Sequence, residues 1–263
     1  MTALTHLLII DPQNDFCDTP ATRRPPGSAP ALPVAGADAD MQRLAGLIRA
    51  AGAGLAQITV TLDSHHRLDI AHPTFWQRGD GSEVTPFTPI TAAQLRAGAF
   101  APRDATARPR ALAYLDALEA RGRYTLMVWP VHCEIGSWGH EVHADVAAAC
   151  RAWAARPGRT LRTVRKGENP WTEHYSALLA EVPDASDPQT QLNRALLDEL
   201  ELREPVERHV EVDGLDIQGW LIASGKGRRP TVVQIHGGPH TLYGWSPFIE
   251  FQVLAGAGIS VFY

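Results

Sequence analysis

Four stretches of this 263-residue chain end an apolar run in a side chain capable of acid–base or metal chemistry. The first ends in Asp11, the second in Asp63 followed by Ser64, His65 and His66, the third in His132 and Cys133, and the fourth in Lys166. In open α/β sheets ligands bind beyond the carboxyl ends of the strands, so residues in these places converge on one edge and form a candidate active site. Taken singly, an Asp after a strand is a turn former or helix cap and a lone His is structural. Their joint occurrence is what marks a site. Asp63, His65 and His132 have the donor chemistry of a divalent metal centre: imidazole and carboxylate suit zinc, iron or manganese, and three protein ligands leave open positions for water or substrate. His72 is an alternative ligand. His140 and His143 in GHEVH stand three apart and do not make the helical HExxH zinc motif. Trp76, Trp138 and Trp171 lie near these loops, either as an aromatic box for a planar ring or as apolar packing.

The elements that must position these residues follow from periodicity. Strand-length apolar runs occupy Leu7–Ile10, Ile58–Leu62, Tyr124–Trp129 and Thr160–Val164, and helical spacing occupies Met41–Ala51, Ala111–Ala120 and Val142–Ala155. Strands alternating with helices predict an α/β fold, an open and mostly parallel sheet with helices on both faces. Two Pro/Gly-rich stretches, Asp18–Asp38 and Pro73–Pro109, read as loops, the second long enough to be functional. The end of the chain differs in texture. Val206–Ala223 reads as a hairpin about Asp213 and Gly214, followed by a strand at Thr231–Ile235, a glycine turn, a helix at Phe248–Ala255 and a strand at Ile259–Tyr263. This last strand–helix–strand piece is expected to extend the open edge of the first sheet, which would put His236 at the end of a fifth strand.

Composition narrows the function classes. Apolar residues make up 44% and charged residues 20%, ordinary values for a packed globular chain, and glycine and proline number 22 and 20, which implies many loops. A net charge of −5 without a basic run argues against nucleic acid or an anionic membrane as partner. The N-terminus does not read as a signal peptide, and no apolar stretch is long enough to span a bilayer, so a cytoplasmic protein is expected. Three cysteines, Cys17, Cys133 and Cys150, point to reduced thiols rather than a disulfide framework.

The segments LLIIDPQNDFC (Leu7–Cys17), VTLDSHH (Val60–His66), WPVHCEIGSWGHEV (Trp129–Val142) and KGENPWTEHYSAL (Lys166–Leu178) together resemble the nicotinamidase and isochorismatase-like family of cysteine hydrolases. The resemblance spans residues 1–203 and implies a Rossmann-like three-layer fold that lacks its last strands, and hydrolysis of a small amide to an acid and ammonia. It makes Asp11 the general base and Lys166 the group that stabilises charge, with Asp63, His65 and His132 holding a metal, zinc first among the candidates. Homo-oligomers are common in that family. Its nucleophilic Cys lies on a strand and turn expected after Gln191–Leu202, where this sequence has no matching segment. Cys133 is the best placed of the three thiols present, and metal-activated water is the other candidate nucleophile; without either, the chain would bind metal or a small molecule and not turn it over. Residues 204–263, through DGLDIQGWLI and VVQIHGGPHTLYGWSPFIEFQVLAGAGISVFY, resemble the start of an α/β-hydrolase domain of the prolyl oligopeptidase family, acylaminoacyl-peptidase-like in particular. That resemblance implies an oxyanion-type turn at Gly238. It leaves the serine elbow, G-x-S-x-G, without a counterpart, and the whole chain reads as a fusion of two hydrolase pieces.

Overall fold

The computed structural model describes residues 5–200, 205–212, 215–224, 231–233, 252, 255 and 260–262. The chain divides into two compact units, Met1–Leu192 and Asn193–Tyr263.

The first unit is an α/β fold built on a parallel sheet. Strands β1 (Thr5–Ile9), β2 (Leu55–Asp63) and a later strand, Leu161–Lys166, lie side by side in that order, all parallel, with β2 central. The sequence Ile58-Thr-Val-Thr-Leu-Asp63 explains why β2 can serve both core and site, because side chains alternate across a strand. Ile58, Val60 and Leu62 enter one apolar core, while the side chains of Thr59, Thr61 and Asp63 make polar contacts with His6, Asp11 and Lys166. Two helices pack into that core, α1 (Ala37–Ala51) and a later helix at Ala144–Ala154. Met41, Leu44, Ala45 and Ile48 on the first, and Val146, Ala149, Cys150 and Trp153 on the second, recur at the three-and-four spacing of a helix face. Burying each large side chain contributes about 1.5–3 kcal/mol relative to exposure. The Trp153 indole N–H is satisfied by the Gly52 carbonyl at 3.1 Å.

The stretch Pro73–Pro109, expected as a loop, is instead built from short elements: β3 (Trp76–Arg78), β4 (Thr88–Ile90), α2 (Ala92–Arg96) and β5 (Phe100–Pro102). Its apolar residues Trp76, Val84, Ile90, Leu95 and Phe100 fall at irregular intervals, which hides them from a periodicity test, yet they fill a second core with α3 (Arg108–Ala120). A Thr91–Gln94 capping box starts α2. The expected strand Tyr124–Trp129 shortens to β6 (Leu126–Val128) and pairs antiparallel with β4 rather than joining the parallel sheet. The helix at Ala144–Ala154 is α4 and the third parallel strand, Leu161–Lys166, is β7. Among the described residues, no helix is long and apolar enough to cross a membrane.

The second unit begins with α5 (Arg194–Glu199) and holds a four-stranded sheet ordered β10-β11-β9-β8. Here β8 (Val206–Val212) and β9 (Leu215–Ile222) form the expected antiparallel hairpin, and β10 (Thr231–Val233) runs parallel to β11 (Ser260–Phe262). This corrects the expectation that Thr231–Ile235 extends the first sheet, since β10 takes its hydrogen-bonding partner within its own unit. Gly238, His236 and most of Phe248–Ala255 lie outside the described residues.

Candidate active site

The parallel register fixes the centre of the site. Asp63 and Lys166 are direct partners at the carboxyl ends of β2 and β7, and Asp11 follows β1 on the same edge. Lys166 Nζ sits 3.0 Å from Asp11 Oδ2 and 3.0 Å from Asp63 Oδ1, bridging two carboxylates in a buried place. Burial alone would lower the pKa of this ammonium, but Asp63 and Asp11 outweigh it and raise the Lys166 pKa above its ordinary value. Burial likewise penalises the Asp63 carboxylate, and the charges of His65 and Lys166 outweigh that and hold its pKa well below the usual range. Asp11 is aimed by Thr61: its backbone N–H donates to Thr61 Oγ1 at 3.1 Å, and the same hydroxyl donates to Asp11 Oδ1 at 2.6 Å. The Asp11 backbone lies at φ 46°, a left-handed conformation that costs strain and is held by this surrounding bonding.

His132 and Cys133 reach the site by another route than the one expected from the sequence. Their loop follows β6, which lies outside the parallel sheet, and hydrogen bonds tie it to the end of β2: the His65 N–H donates to the Cys133 carbonyl at 3.0 Å and the Ile135 N–H to the His65 carbonyl at 2.9 Å. Asp15 clamps the same loop, its Oδ2 accepting the Cys133 N–H at 2.6 Å. Gln13 completes the frame, accepting the Asp63 N–H and donating to the Asp63 and His140 carbonyls.

The donor set fits a divalent metal. His65 Nε2 and His132 Nε2 converge on one oxygen, Asp63 Oδ2, at 3.1 and 3.2 Å. On the far side of each ring Nδ1 has its own acceptor, Asp69 Oδ2 at 3.1 Å for His65 and the Pro130 carbonyl at 2.8 Å for His132. An outer acceptor of this kind holds the ring proton on Nδ1 and turns the Nε2 lone pair toward the centre, as in metal-bound imidazoles. Three acceptors facing one another require a cation between them. A proton fills that need at His65, where burial opposes the charge but Asp63 and Asp69 raise the pKa well above its usual value. His72 joins the cluster, since ligand atoms of His65, His72 and His132 all lie within 4.8 Å of one another, and its Nδ1 is buried and unpartnered among the described residues.

Asp11, Asp63, His65, His132 and Lys166 line a cavity of about 200 Å³ together with Phe16, Trp129 and Tyr175. That aromatic wall is not the box drawn from Trp76, Trp138 and Trp171, none of which lines it. Trp76 is in the second core with its indole bonded to the Ile70 carbonyl, and Trp171 packs against that core beneath Arg110. The Trp138 carbonyl accepts from Asn14. His140 and His143 are used in packing, bonded to Ser64 Oγ and Asp38 Oδ1. All three thiols are buried and none lines the cavity. Burial and the nearby Asp63, Asp15 and Asp11 carboxylates push the Cys133 thiol pKa far up, and burial with Asp38 and Asp18 takes Cys17 to about 11, the reverse of an activated nucleophile.

Periodicity and strand ends do not single out Thr61, Gln13, Asp69, Glu173 or His174. Signals for some exist in the text of the sequence: Gln13 stands inside the first motif and Asp69 stands four residues after His65. Gly167 carries a further test of the geometry. Its φ is +87°, and a Cβ there would lie 3.2 Å from the Ser64 carbonyl oxygen and 3.3 Å from Asp63 Oδ1. Gly167→Ala is expected to cost about 1–2 kcal/mol from the left-handed backbone and to weaken zinc binding by displacing Asp63; urea unfolding and zinc titration check the two effects.

No protein-family model matches the chain. Over 55 residues, 19% of this chain and 8% of the other, it is 46% identical to a Bacillus subtilis (strain 168) protein described as an uncharacterized peptidase, YuxL, so it spans only a small part of that relative's length. Among solved structures it is similar to the yeast nicotinamidase Pnc1p bound to the inhibitor nicotinaldehyde, at 18% identity and a TM-score of 0.47, over 76% of this chain and 71% of that one. It is also similar to an Acinetobacter baumanii nicotinamidase/pyrazinamidase, at 20% identity and a TM-score of 0.43, over 74% and 64% of the two chains. For the pyrazinamidase of Pyrococcus horikoshii in complex with zinc the values are 20% and 0.33, over 65% and 56%.

Proposed function

We propose that the first unit is a metal-dependent hydrolase of a small planar amide, nicotinamidase-like, releasing an acid and ammonia. The observation that carries this reading is Lys166 Nζ held 3.0 Å from both Asp11 and Asp63 beside two imidazoles, all lining one small cavity with an aromatic wall. The ring of the substrate would lie against Phe16, Trp129 and Tyr175. A divalent ion held by Asp63, His65 and His132, zinc for preference, would supply Lewis-acid polarisation. Since no described thiol lines the cavity, the attacking group in this reading is water. Asp11 takes a proton from it as the new C–O bond forms and returns that proton to the nitrogen as the C–N bond breaks. Lys166, 3.0 Å from Asp11 Oδ2, offsets negative charge as it develops.

The burial of Cys17, Cys133 and Cys150 favours a second reading, in which the same cavity binds metal and a small amide without turnover. Ammonia release from nicotinamide and related carboxamides separates the two. The zinc-loaded protein is expected to show turnover that Asp11→Ala lowers by about 10²–10⁴-fold, the range for loss of a general base. Turnover equal in the two proteins, or none in either with zinc still bound, rejects the hydrolase. For the second unit we propose the start of a serine-peptidase-like α/β-hydrolase domain joined to the first, supported by the HGGP-containing sequence. A fluorophosphonate probe is not expected to label a chain without a serine elbow.

A further inference from the structure

One wall of the cavity carries two polar side-chain atoms for which neither the fold nor the proposed chemistry supplies a partner. Glu173 and His174 both line it and are 4% and 8% exposed. Glu173 Oε1 and His174 Nε2 are buried without a hydrogen-bond partner among the described residues. Orphaned groups of this kind are rare and costly in folded proteins, so each calls for an occupant.

For His174 the character of the missing partner can be read from the other side of the ring. The backbone N–H of Gly167, the residue after Lys166, donates to His174 Nδ1 at 3.3 Å. A ring nitrogen that accepts carries no proton, so the neutral ring bears its proton on Nε2. Burial first, then the nearby Lys166 charge, lowers the His174 pKa to about 4, so the neutral form is the one present near neutral pH. The orphan is therefore an N–H donor. It needs an acceptor.

We propose that His174 Nε2–H anchors the carbonyl oxygen of a small carboxamide in this cavity, placing it beside Lys166. The choice of ligand rests on the hydrolase reading; the tautomer and the unpaired donor do not. A neutral imidazole polarises a carbonyl without adding a formal charge to a cavity that already holds the Asp11 and Asp63 carboxylates and the Lys166 ammonium.

The test compares nicotinamide with thionicotinamide, which keeps the ring and the NH₂ but replaces the acceptor oxygen by a weaker one. Both are titrated into zinc-loaded wild type, His174→Phe and His174→Gln, and the histidine ¹⁵N spectrum of the free wild-type protein is recorded. Nicotinamide is expected to lose roughly ten- to a hundred-fold in affinity in His174→Phe, the span of one buried hydrogen bond. Thionicotinamide is expected to lose far less, His174→Gln to recover part of the loss through its side-chain N–H, and the spectrum to show His174 protonated on Nε2. A proton on Nδ1, equal losses for the two ligands, or unchanged nicotinamide binding in His174→Phe overturns the proposal. Ammonia release, run in parallel, keeps the two claims apart. Turnover with the same KM in wild type and His174→Phe overturns the anchor and leaves the hydrolase standing. Binding that depends on His174 without turnover does the reverse. Folded wild type that binds no carboxamide overturns both.

Discussion

Lys166→Met is expected to destabilise the metal-free protein by about 3–5 kcal/mol, the usual cost of removing one partner from a buried ion pair. The size follows from what remains. Lys166 Nζ is the cation 3.0 Å from both Asp11 Oδ2 and Asp63 Oδ1, and its side chain is only 5% exposed. Methionine fills similar volume, so packing is nearly conserved and the loss reports electrostatics. Two carboxylates would then face each other across a small cavity, with His65 and His132 near one of them. Zinc should restore part of the loss, because a second cation then sits against Asp63. Urea unfolding with and without zinc measures both effects. A loss under about 1 kcal/mol, the range of exposed pairs, would mean that Lys166 is solvated and that the bridge is not formed.

Glu173→Gln is expected to change the shape of the stability profile against pH as well as its height. Burial, opposed by the His65 charge and aided by Asp69 and Asp63, raises the Glu173 carboxyl to about 8 from an ordinary value of 4.5. Between those values the native protein holds a proton that the unfolded chain has released. Stability must therefore fall as pH rises through this window, by up to about 1.4 kcal/mol per pH unit. Glutamine has no proton to lose, so its profile lacks that slope, and the difference between the two proteins widens from about pH 5 toward pH 8. Other titrating groups are common to both and cancel in the difference. Parallel profiles would show that Glu173 is ionised in the native state.

How far the site could be read from the sequence depends on which rule placed each residue. Asp11, Asp63 and Lys166 were legible because β1, β2 and β7 do form one parallel sheet and the strand-end rule holds for them. His132 belongs to the same site for a different reason. Its strand, β6, pairs with β4, and only backbone bonds between the loop after it and His65 bring it in, a long-range arrangement that no local pattern encodes. Trp76 goes where its polar handle is satisfied: its indole N–H needs the Ile70 carbonyl, which holds it in the core. The elements within Pro73–Pro109 were hidden because short strands with irregular apolar spacing carry no period. His174 was invisible because its meaning lies in a tautomer, set by the N–H of Gly167, itself in a left-handed turn.

X-ray absorption at the zinc edge, on protein loaded with equimolar zinc, tests most directly the ligand set on which this account depends. Asp63, His65 and His132 should give nitrogen and oxygen neighbours at about 2.0–2.2 Å with imidazole scattering, and Asp63→Ala should lose the bound zinc. Sulfur at about 2.3 Å, which would place Cys133 on the metal, or zinc retained undiminished in Asp63→Ala, would contradict it.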